Sequence, residues 1–372
     1  MSARRKYART MAHAFDSLTL DGRALTRMEV YEHFDRLRKK RRKAEIWKDE
    51  IYHLVMELTL LSGNSISAST SGTTGPPKNM RIPRRDLVNS ARLTAETFDL
   101  HEGDRALLCL PCAYIAGKMM LIRAMALGLD LHVMDPRGSV LDNLGDIKDR
   151  FRFTAMVPLQ LHRAIQEDRA RVESQFEIIL LGGGPVSAAL EEDLQGLRTA
   201  VFQGYGSTET VTHAALRRLN GPAINEVYHA IGSVRFSSDE RGCLMVHTPH
   251  LRTKQHVTND QVDLIDDTHF RWLGRIDNVI LSGGKKIYPE QLEAKTAGVI
   301  PFPHFFMAFP DDRLGEAVAL VLETDLGAEE ILDEVLQTLI SVLSEHELPR
   351  RVTAMRAFLR TGSGKVVRRL VP

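Results

Sequence analysis

The strongest local signal in this 372-residue chain is a run of hydroxyl side chains and glycines that ends in a lysine. It reads Ser67-Ala-Ser-Thr-Ser-Gly-Thr-Thr-Gly-Pro-Pro-Lys78. Glycines let backbone N–H groups approach an anion, hydroxyl groups add donors and the lysine adds charge, so the run suits a polyphosphate. The G-x4-G-K-[ST] pattern of a Walker A loop cannot be placed on it. A flexible loop without a ligand is the alternative.

A second motif presents a hydroxyl beside a carboxylate after a glycine turn, in Gln203-Gly-Tyr-Gly-Ser-Thr-Glu-Thr210. Here Thr208 can donate to a phosphate, while Glu209 can hold Mg²⁺, an ion that needs only one or two protein carboxylates. The alternative is a structural strand-to-helix turn in which Ser or Thr caps the helix.

Two further motifs lie later in the chain. In the first, Thr258-Asn-Asp260 is followed by Gly274-Arg275, and a carboxylate suits ribose hydroxyls while a guanidinium suits a phosphate or ribose oxygen. The second, Arg360-Thr-Gly-Ser-Gly-Lys-Val-Val-Arg368, is a glycine turn that carries Lys365. Exposed charges in turns and a solvated basic tail are the respective alternatives.

Strands and helices that position these motifs can be read from the apolar pattern. Between about residues 66 and 235, runs such as Ala106-Leu-Leu-Cys-Leu110, Thr154-Ala-Met-Val157 and Glu177-Ile-Ile-Leu-Leu181 alternate with segments of helical period. Strands separated by helices indicate crossover connections, so the pattern predicts an α/β fold with mainly parallel sheets. Ligands of such sheets bind beyond the carboxyl ends of the strands, where several of these runs end in Gly or Pro.

The length supports two domains, for which we predict the bounds 1–274 and 275–372. The pattern predicts a small α+β carboxy-terminal domain with strands at about 304–309 and 317–323 and a helix at about 328–346. Residues 1 to about 60 read as helical and charged.

The composition of the chain limits the classes of partner that can be expected. A net charge of +1 gives no global reason to expect nucleic acid or an anionic membrane, and the basic run Arg36–Lys43 is interpreted as a solvated helix face rather than a binding patch. No apolar run is long enough for a membrane span, and no signal peptide follows Met1, so we expect a cytoplasmic protein. The pair Cys109 and Cys112 has redox or metal spacing but no second pair, which favours buried structural thiols.

Five segments resemble the core motifs of the adenylate-forming superfamily of acyl-CoA synthetases, nonribosomal peptide adenylation domains and luciferases: Ser71–Lys78, Tyr205–Glu209, Thr258–Asp260, Gly274–Asn278 and Thr361–Arg368. They occur in the family's order and span about residues 66–370. The resemblance implies a large amino-terminal domain, a small mobile carboxy-terminal domain, and the use of ATP, Mg²⁺ and coenzyme A as co-substrate. It is compatible with a homodimer.

The resemblance also implies roles for individual residues. Thr208, Glu209 and Lys365 would be catalytic, with Glu209 on Mg²⁺ and Lys365 bridging to the reacting carboxylate, and Asp277 would be the interdomain hinge. Residues that would bind ATP are Ser71, Thr73, Thr74, Lys78, Gly182, Gly183, Gly184, Tyr205, Asp260 and Arg275.

Three departures from the family pattern stand out. Only about 65 residues precede the phosphate loop, so one amino-terminal subdomain is expected to be reduced or missing. Tyr114 ends Pro111-Cys-Ala-Tyr114, where relatives often read Pro-Leu-Phe-His. Asn259 stands where glycine is usual.

Within the superfamily, the chain looks like the compact o-succinylbenzoate:CoA ligases of menaquinone synthesis. Such an aromatic dicarboxylate needs a cation for the carboxylate that does not react. Candidates are Lys118, His213 and Arg217, while Tyr114 can pack against the ring. Two rival functions stay open: an adenylation module that loads a carrier-protein thiol, and a catalytically silent nucleotide-binding paralogue.

Overall fold

The computed structural model describes residues 13–61, 63–69, 78–327, 335–360 and 366–368. The chain forms two compact units. The amino-terminal unit comprises Met1–Pro185, Asp193–Arg235 and Val246–His256, and the carboxy-terminal unit comprises Val186–Glu192, Phe236–Met245 and Val257–Pro372. This division does not test the predicted domain boundary at residues 274 and 275, which stays a prediction.

Strands and helices alternate through the first 230 residues. In chain order they are β1 (Ser17–Leu20), β2 (Arg23–Thr26), α1 (Arg27–Lys39), α2 (Trp47–Thr59), β3 (Ser65–Ser69), β4 (Asn79–Pro83), α3 (Arg84–Phe98), β5 (Arg105–Leu108), α4 (Ile115–Leu127), β6 (Asp130–Val133), α5 (Val140–Leu144), β7 (Phe151–Met156), α6 (Pro158–Gln175), β8 (Phe176–Leu181), α7 (Ala188–Asp193), β9 (Ala200–Ser207), β10 (Thr212–Arg218) and β11 (Tyr228–Ala230).

A twisted sheet in the amino-terminal unit has the strand order β11-β10-β9-β8-β7-β5-β6-β1-β2. Its centre is parallel, from β9 through β8, β7 and β5 to β6 and β1. The margins are antiparallel, in the pairs β1–β2, β9–β10 and β10–β11. The predicted α/β fold with a mainly parallel sheet is confirmed, with an antiparallel return at β10 that the sequence pattern did not reveal.

The central strands of this sheet carry buried residues on both faces, which indicates that helices cover both sides. The last four residues of β7 and of β8 are all buried, as expected for parallel strands between layers of helices. Helix α4 is apolar around most of its circumference and buries ten of its residues. It begins against the preceding loop, since a Cβ atom on Gly117 would lie 2.2 Å from the carbonyl oxygen of Pro111. Only glycine permits that approach.

Later elements, most of them in the carboxy-terminal unit, are strands with short helices between them. They are β12 (Arg235–Ser238), β13 (Cys243–His247), β14 (Gln255–Leu264), β15 (His269–Arg275), a 3₁₀ turn (Ile276–Asn278), β16 (Ile280–Ser282), β17 (Lys285–Ile287), α8 (Pro289–Thr296), β18 (His304–Asp311), β19 (Gly315–Glu323), a short helix at 335–340 and β20 (Arg351–Met355).

A small sheet in the carboxy-terminal unit has the order β17-β16-β19-β18, with β20 parallel to β19. Its β18–β19 pair confirms the two strands predicted there, and α8 starts with Pro289 at its first position, which suits a residue without an N–H. Buried residues of α8, β19 and the helix at 335–340 form one apolar core.

Two predictions about local structure need correction. The first 60 residues are not helical throughout, because the β1–β2 hairpin precedes α1 and α2. The helix predicted at 328–346 ends earlier than predicted, because the described residues are helical at 335–340 and form turns from 341 on, while residues 328–334 lie outside the described residues. Among the described residues, none of the helices combines the length and the apolar character that crossing a membrane requires.

Candidate active site

A tight turn between β9 and β10 carries Thr208 and Glu209. The two strands are antiparallel, so this motif is a strand-to-strand turn and not the start of a helix. Gly206 lies opposite His213, and a Cβ atom on Gly206 would come within 1.8 Å of the carbonyl oxygen of Thr212. A glycine is therefore required for the two backbones to approach this closely.

The end of this turn has an unfavourable backbone conformation. Val211 and Thr212 have φ angles of 51° and 83°, which β-branched residues rarely adopt. Hydrogen bonds hold it: the Ser90 hydroxyl donates to the Val211 carbonyl at 2.7 Å, and the Thr210 hydroxyl to the Thr212 carbonyl at 2.7 Å. Conformations of this kind concentrate at functional sites, where the surroundings enforce them.

Glu209 opens into a cavity of about 360 Å³. Its walls come from β4, α3, the turn after Glu209 and the loop after β13, and its lining residues are Met80, Arg81, Ile82, Pro83, Asp86, Glu209, Val211, Leu251, Arg252 and Thr253. Within the described part of the chain, the side chains of Glu209 and Arg252 have no hydrogen-bond partner, and both residues are exposed. A carboxylate and a guanidinium are thus available to a ligand in one cavity.

Strand β4, which follows the predicted phosphate loop in the sequence, lines this cavity. Strands β3 and β4 are antiparallel with Ser69 opposite Asn79, and the exposed Lys78 immediately precedes β4. Ser71, Thr73 and Thr74 lie outside the described residues. The structure therefore places Lys78 next to the strand that lines the cavity of Glu209.

The donor set at Glu209 fits a magnesium ion that also binds phosphates. The described residues contain no cluster of three or more His, Cys, Asp or Glu residues that would cage a metal. Mg²⁺ does not need such a cage, since it is commonly held by one or two carboxylates together with substrate phosphates and water. Burial lowers the pKa of His256, and the nearby carboxylate of Glu209 opposes that shift.

The glycine turn after β8 connects to β9 and β10 through one glutamine. Gly183 has a φ of 82°, which favours glycine. The Gln203 side chain donates to the Gly184 carbonyl at 3.4 Å and accepts from Arg217 Nε at 2.7 Å. Gln203 begins the motif recognised in the sequence, but sequence reasoning assigned it no role. The structure thereby brings the predicted Gly182–Gly184 turn and Arg217 together.

Two aromatic rings lie next to the group formed by Gln203, Arg217 and the Gly182–Gly184 turn. Tyr205, one of the predicted ATP-binding residues, meets the ring of Tyr228 edge-on with 5.8 Å between centroids. The Arg217 guanidinium lies 5.7 Å from the centre of the same Tyr228 ring. Tyr228 had no recognisable signal in the sequence, because it acquires its place through β11 pairing with β10.

Not all of the predicted acyl-binding residues converge. Arg217 contacts Gln203, whereas the His213 ring approaches Phe98, which in turn contacts the neighbouring residue Phe202. The register of β10 against β9 shifts between His213 and Ala215, so these residues do not follow simple alternation. The contacts place His213 on the face of Phe202 and Arg217 on the opposite face, with Gln203. Tyr114 precedes the first residue of α4, and Lys118 lies in the first turn of that helix.

Two thiols and one imidazole near α4 have pKa values shifted by burial. Cys109 and Cys112 are free and buried, as predicted, and burial raises the pKa of each thiol to about 12. Burial, with a smaller contribution from Arg123, lowers the pKa of His213 well below its usual value. The thiols are thus protonated and the imidazole is neutral at physiological pH.

The other predicted nucleotide-binding residues form a polar network in the carboxy-terminal unit. Asp260 on β14 lies opposite Arg275 on β15, with 3.6 Å between their charged groups, and Trp272 Nε1 donates to Asp260 at 3.3 Å. Arg275 also contacts Asp277 at 2.6 Å. The acid and the base predicted from separate motifs are therefore partners on adjacent strands.

Asn259 joins this network. Its amide donates to the Asp277 carboxylate at 3.1 Å, and its oxygen accepts from Arg241 at 3.1 Å. Arg241 also donates to the Thr258 carbonyl at 3.0 Å. The predicted hinge residue Asp277 is thus held by two side chains. Lys365 lies outside the described residues.

Comparisons with known proteins bear on the family and the fold of this chain. Residues 69–239 match the family model described as "AMP-binding enzyme". A crystal structure of an acyl-CoA synthetase (AMP-forming)/AMP-acid ligase II-like protein from Dyadobacter fermentans is 35% identical; the alignment covers 89% of this chain and 95% of that one, with a TM-score of 0.57.

A solved structure and a curated sequence of o-succinylbenzoate enzymes also match. The structure of the o-succinylbenzoate coenzyme A synthetase from Bacillus subtilis, in complex with ATP and a magnesium ion, covers 95% of this chain and 96% of that one with a TM-score of 0.72 and 19% identity, which shows the shared two-domain fold. The curated 2-succinylbenzoate–CoA ligase of the same species is 26% identical over 80% of this chain and 66% of that enzyme, so the chain spans just under two thirds of its length.

The cavity at Glu209, the paired Asp260 and Arg275, and the 35% identity across nearly the whole length of an AMP-forming synthetase-like protein agree with one another. This chain belongs to the adenylate-forming superfamily of AMP-binding enzymes.

Proposed function

We propose that the protein is an ATP-dependent carboxylate:coenzyme A ligase that works through an acyl-adenylate. The observation that carries the proposal is the cavity at Glu209, which offers an unpaired carboxylate and an unpaired guanidinium next to the strand preceded by Lys78. A magnesium-bound triphosphate requires both kinds of group, because its cation needs an acid and its phosphates need bases.

In the first half-reaction, an oxygen of the substrate carboxylate attacks the α-phosphorus of ATP, and pyrophosphate leaves. Negative charge accumulates where the two anions meet, and positive groups placed there stabilise the transition state. Mg²⁺, when bound, neutralises phosphate charge. Thr208 would donate to a phosphate, Glu209 would hold the ion's coordination shell, and Lys365 would bridge the carboxylate and the phosphate.

In the second half-reaction, the sulfur of coenzyme A attacks the acyl carbonyl, and AMP leaves. Asp260 would accept hydrogen bonds from the ribose hydroxyls, with its carboxylate oriented by Trp272 and Arg275. Between the two half-reactions, the carboxy-terminal domain would rotate about Asp277 as its hinge. Lys365 would then no longer obstruct the thiol.

For the acyl substrate we propose o-succinylbenzoate. Support comes from the curated 2-succinylbenzoate–CoA ligase among the relatives and from the position of Tyr114 at the start of α4, where an aromatic side chain can pack against a substrate ring. This would place the enzyme in menaquinone synthesis.

A panel of carboxylic acids tests both levels of the proposal. Wild-type protein is assayed with ATP and Mg²⁺ for pyrophosphate exchange, and then with coenzyme A for AMP and thioester formation. The panel contains o-succinylbenzoate, benzoate, ferulate and octanoate. We expect o-succinylbenzoate to give the highest kcat/KM, because truncated substrates lose binding energy that orients the reacting group.

Each outcome has a distinct meaning. Equal or better kcat/KM with benzoate or octanoate would refute the substrate while leaving the reaction class intact. Exchange without thioester formation, together with loading of a phosphopantetheinyl carrier protein, would identify a carrier-loading adenylation enzyme. Absence of exchange with every acid would identify a silent nucleotide-binding protein.

A further inference from the structure

The loop that connects β13 to β14 brings an arginine to the cavity of Glu209. Three residues of this loop, Leu251–Thr253, line the cavity, and the middle one is the exposed Arg252. The loop follows the glycine-turn motif of Glu209 by about 40 residues and precedes the motif that begins at Thr258. Arg252 is therefore a basic residue of the cavity that lies outside the five sequence motifs.

Two side chains of α3 hold the backbone of this loop. The Asp86 carboxylate accepts a hydrogen bond from the Arg252 N–H at 3.0 Å, and the Asn89 amide donates to the His250 carbonyl at 2.7 Å. Because Asp86 is only 4% exposed, water competes little for its contact with the loop. The base of the Arg252 side chain is thus fixed before a ligand binds, which reduces the entropy that binding costs.

A second arginine of the cavity differs from Arg252, because the fold already uses its guanidinium. Arg81 on β4 donates to the Ser65 hydroxyl at 3.0 Å, to the Ser67 hydroxyl at 3.1 Å and to the Ser65 carbonyl at 3.1 Å. The Arg252 guanidinium has neither a hydrogen-bond partner nor an ion-pair partner within the described ranges of the chain. Of these two arginines, Arg252 is the one whose side-chain donors are available to a ligand.

The ligand of these donors follows from the other charged group in the cavity. Glu209 is the proposed ligand of Mg²⁺, an ion that is commonly held by one or two carboxylates together with substrate phosphates. In kinases and P-loop NTPases the ion bridges the β- and γ-phosphates. A guanidinium binds phosphate through parallel N–H groups. An exposed arginine is ordinary on a protein surface, but Arg252 shares one cavity with Glu209 and can therefore bind the phosphates of the same ligand.

We propose that Arg252 binds the β- and γ-phosphates of ATP and stabilises them as the leaving pyrophosphate. The proposal rests on the proposed ligase function and adds a residue that distinguishes a triphosphate from AMP. As the carboxylate oxygen bonds to the α-phosphorus, the bond from that phosphorus to the bridging oxygen breaks, and its electron pair stays on pyrophosphate. The Arg252 guanidinium would stabilise this added charge. In the second half-reaction, after pyrophosphate has left, Arg252 would have no contact with the reactants.

Calorimetric titration tests this contact without turnover. Wild-type protein, Arg252→Met and Arg252→Lys are each titrated with ATP, inorganic pyrophosphate and AMP in the presence of Mg²⁺. The matched control is Arg85→Met, which removes the same charge from another exposed arginine. Arg85 lies in the first turn of α3, one residue before Asp86, but is not among the residues that line the cavity.

We expect Arg252→Met to weaken the binding of ATP and of pyrophosphate by about 10- to 100-fold, as for loss of hydrogen bonds to a charged group, while AMP binding changes by less than about twofold. Arg252→Lys should recover part of the affinity, because lysine keeps the charge but not the parallel N–H groups. Arg85→Met should bind all three ligands as wild-type protein does.

The two half-reactions provide a second measurement. With the best acid of the panel, Arg252→Met should slow acyl-adenylate formation and raise the KM of pyrophosphate in the reverse reaction. Thioester formation from supplied acyl-adenylate should be unaffected, because no pyrophosphate takes part in it. A merely structural role of Arg252 would slow both half-reactions.

Several results would overturn the proposal. Unchanged affinity for pyrophosphate in Arg252→Met would refute the contact, and equal losses for ATP, pyrophosphate and AMP would assign Arg252 a structural role. Wild-type protein that does not bind pyrophosphate has no such site, and this result holds even if Arg252→Met fails to fold. The ligase function is tested separately: if ATP binding depends on Arg252 but no acid supports exchange, the ligase function is refuted and the phosphate contact stands.

Discussion

Two arginines of this protein differ in whether an acidic side chain compensates their charge. Arg275, in the carboxy-terminal unit, lies 3.6 Å from Asp260 and 2.6 Å from Asp277, and its side chain is 29% exposed. Arg123, in the amino-terminal unit, is 1% exposed, and among the described residues its hydrogen bonds go to the hydroxyls of Thr94 and Thr212 and to the Met120 sulfur, with the Phe153 ring beside it. One charge is neutralised within the fold, and the other is not.

Arg275 is paired within the fold, so its guanidinium holds the acidic partners Asp260 and Asp277 in place, and its contact with a nucleotide stays a prediction. An unpaired buried arginine raises the free energy of the folded protein, because its loss of hydration is not compensated by an opposite charge. Pairing within the fold is therefore a more useful criterion than residue type for distinguishing the two arginines.

The largest expected effect is that of Lys365→Ala, which tests whether this lysine acts in only one of the two half-reactions. Lys365→Ala should slow acyl-adenylate formation by about 100-fold or more, because a cation where two anions meet stabilises only that transition state. Thioester formation from supplied acyl-adenylate should be largely unaffected. Rapid-quench measurement of each half-reaction separately gives the two rates.

The reverse pattern is expected at the hinge. Asp277→Pro fixes φ at this position and should mainly slow thioester formation. Asp277→Ala serves as the control, because it removes the contacts to Arg275 and Asn259 but leaves the backbone free. Equal losses in both half-reactions for Lys365→Ala and Asp277→Pro would rule out alternating use of the carboxy-terminal domain.

Opposite changes in stability are expected for the two arginines themselves. Without substrate, Arg123→Met should raise the free energy of unfolding by about 1–3 kcal/mol, since it removes an unpaired buried charge. Arg275→Met should lower it by about 1 kcal/mol, because Asp260 and Asp277 lose a partner. Urea unfolding with unchanged m-values measures both. A loss of stability in Arg123→Met would contradict the distinction between the two sites.

Glu209→Gln should have a smaller effect, which is confined to the concentration of Mg²⁺ that the reaction requires. The concentration of Mg²⁺ that gives half-maximal exchange is expected to rise about tenfold, because the ion loses its charged protein ligand while its phosphate ligands stay. The exposed Glu226 provides a matched control as Glu226→Gln. An unchanged Mg²⁺ dependence in Glu209→Gln would leave this carboxylate with a structural role only.

The smallest expected effect is a pH dependence from His213. Its pKa in the folded protein lies well below that of the unfolded chain, about 6.5, so the unfolded state binds more protons below that pH. Stability should therefore fall as the pH falls, by about 1 kcal/mol between pH 7 and pH 5.5. His213→Phe should remove this part of the dependence. An identical pH profile in both proteins would show that the pKa of this ring is the same in the folded and unfolded states.

The sequence predicted the parallel strands and the motif turns because both depend on local patterns. Apolar runs such as Glu177–Leu181 and glycine turns such as Gly182–Gly184 are readable without knowledge of the fold. The antiparallel return of β10 was not readable, since pairing of β9 with β10 is a tertiary feature. The β1–β2 hairpin was missed for the same reason, its strands being short and adjacent to a charged helix.

Arg123 escaped sequence reasoning for a different reason. It lies within the apolar run Met119–Leu127, where one cation is indistinguishable from a side chain whose charge reaches solvent. Its significance depends on what is absent around it, and only the packed structure shows that Thr94 and Thr212 are its neighbours. Lys118, in contrast, attracted attention because it stands near the start of the helix.

The close approach of Gly206 to Thr212 and of Gly117 to Pro111 limits how this enzyme can be diversified. A directed-evolution library for new acyl specificity would naturally randomise α4 and the beginning of β10. At positions 117 and 206, any side chain would meet backbone atoms, so nearly every such member would be lost to misfolding before selection for activity. Holding these two glycines fixed would remove this source of loss from the library.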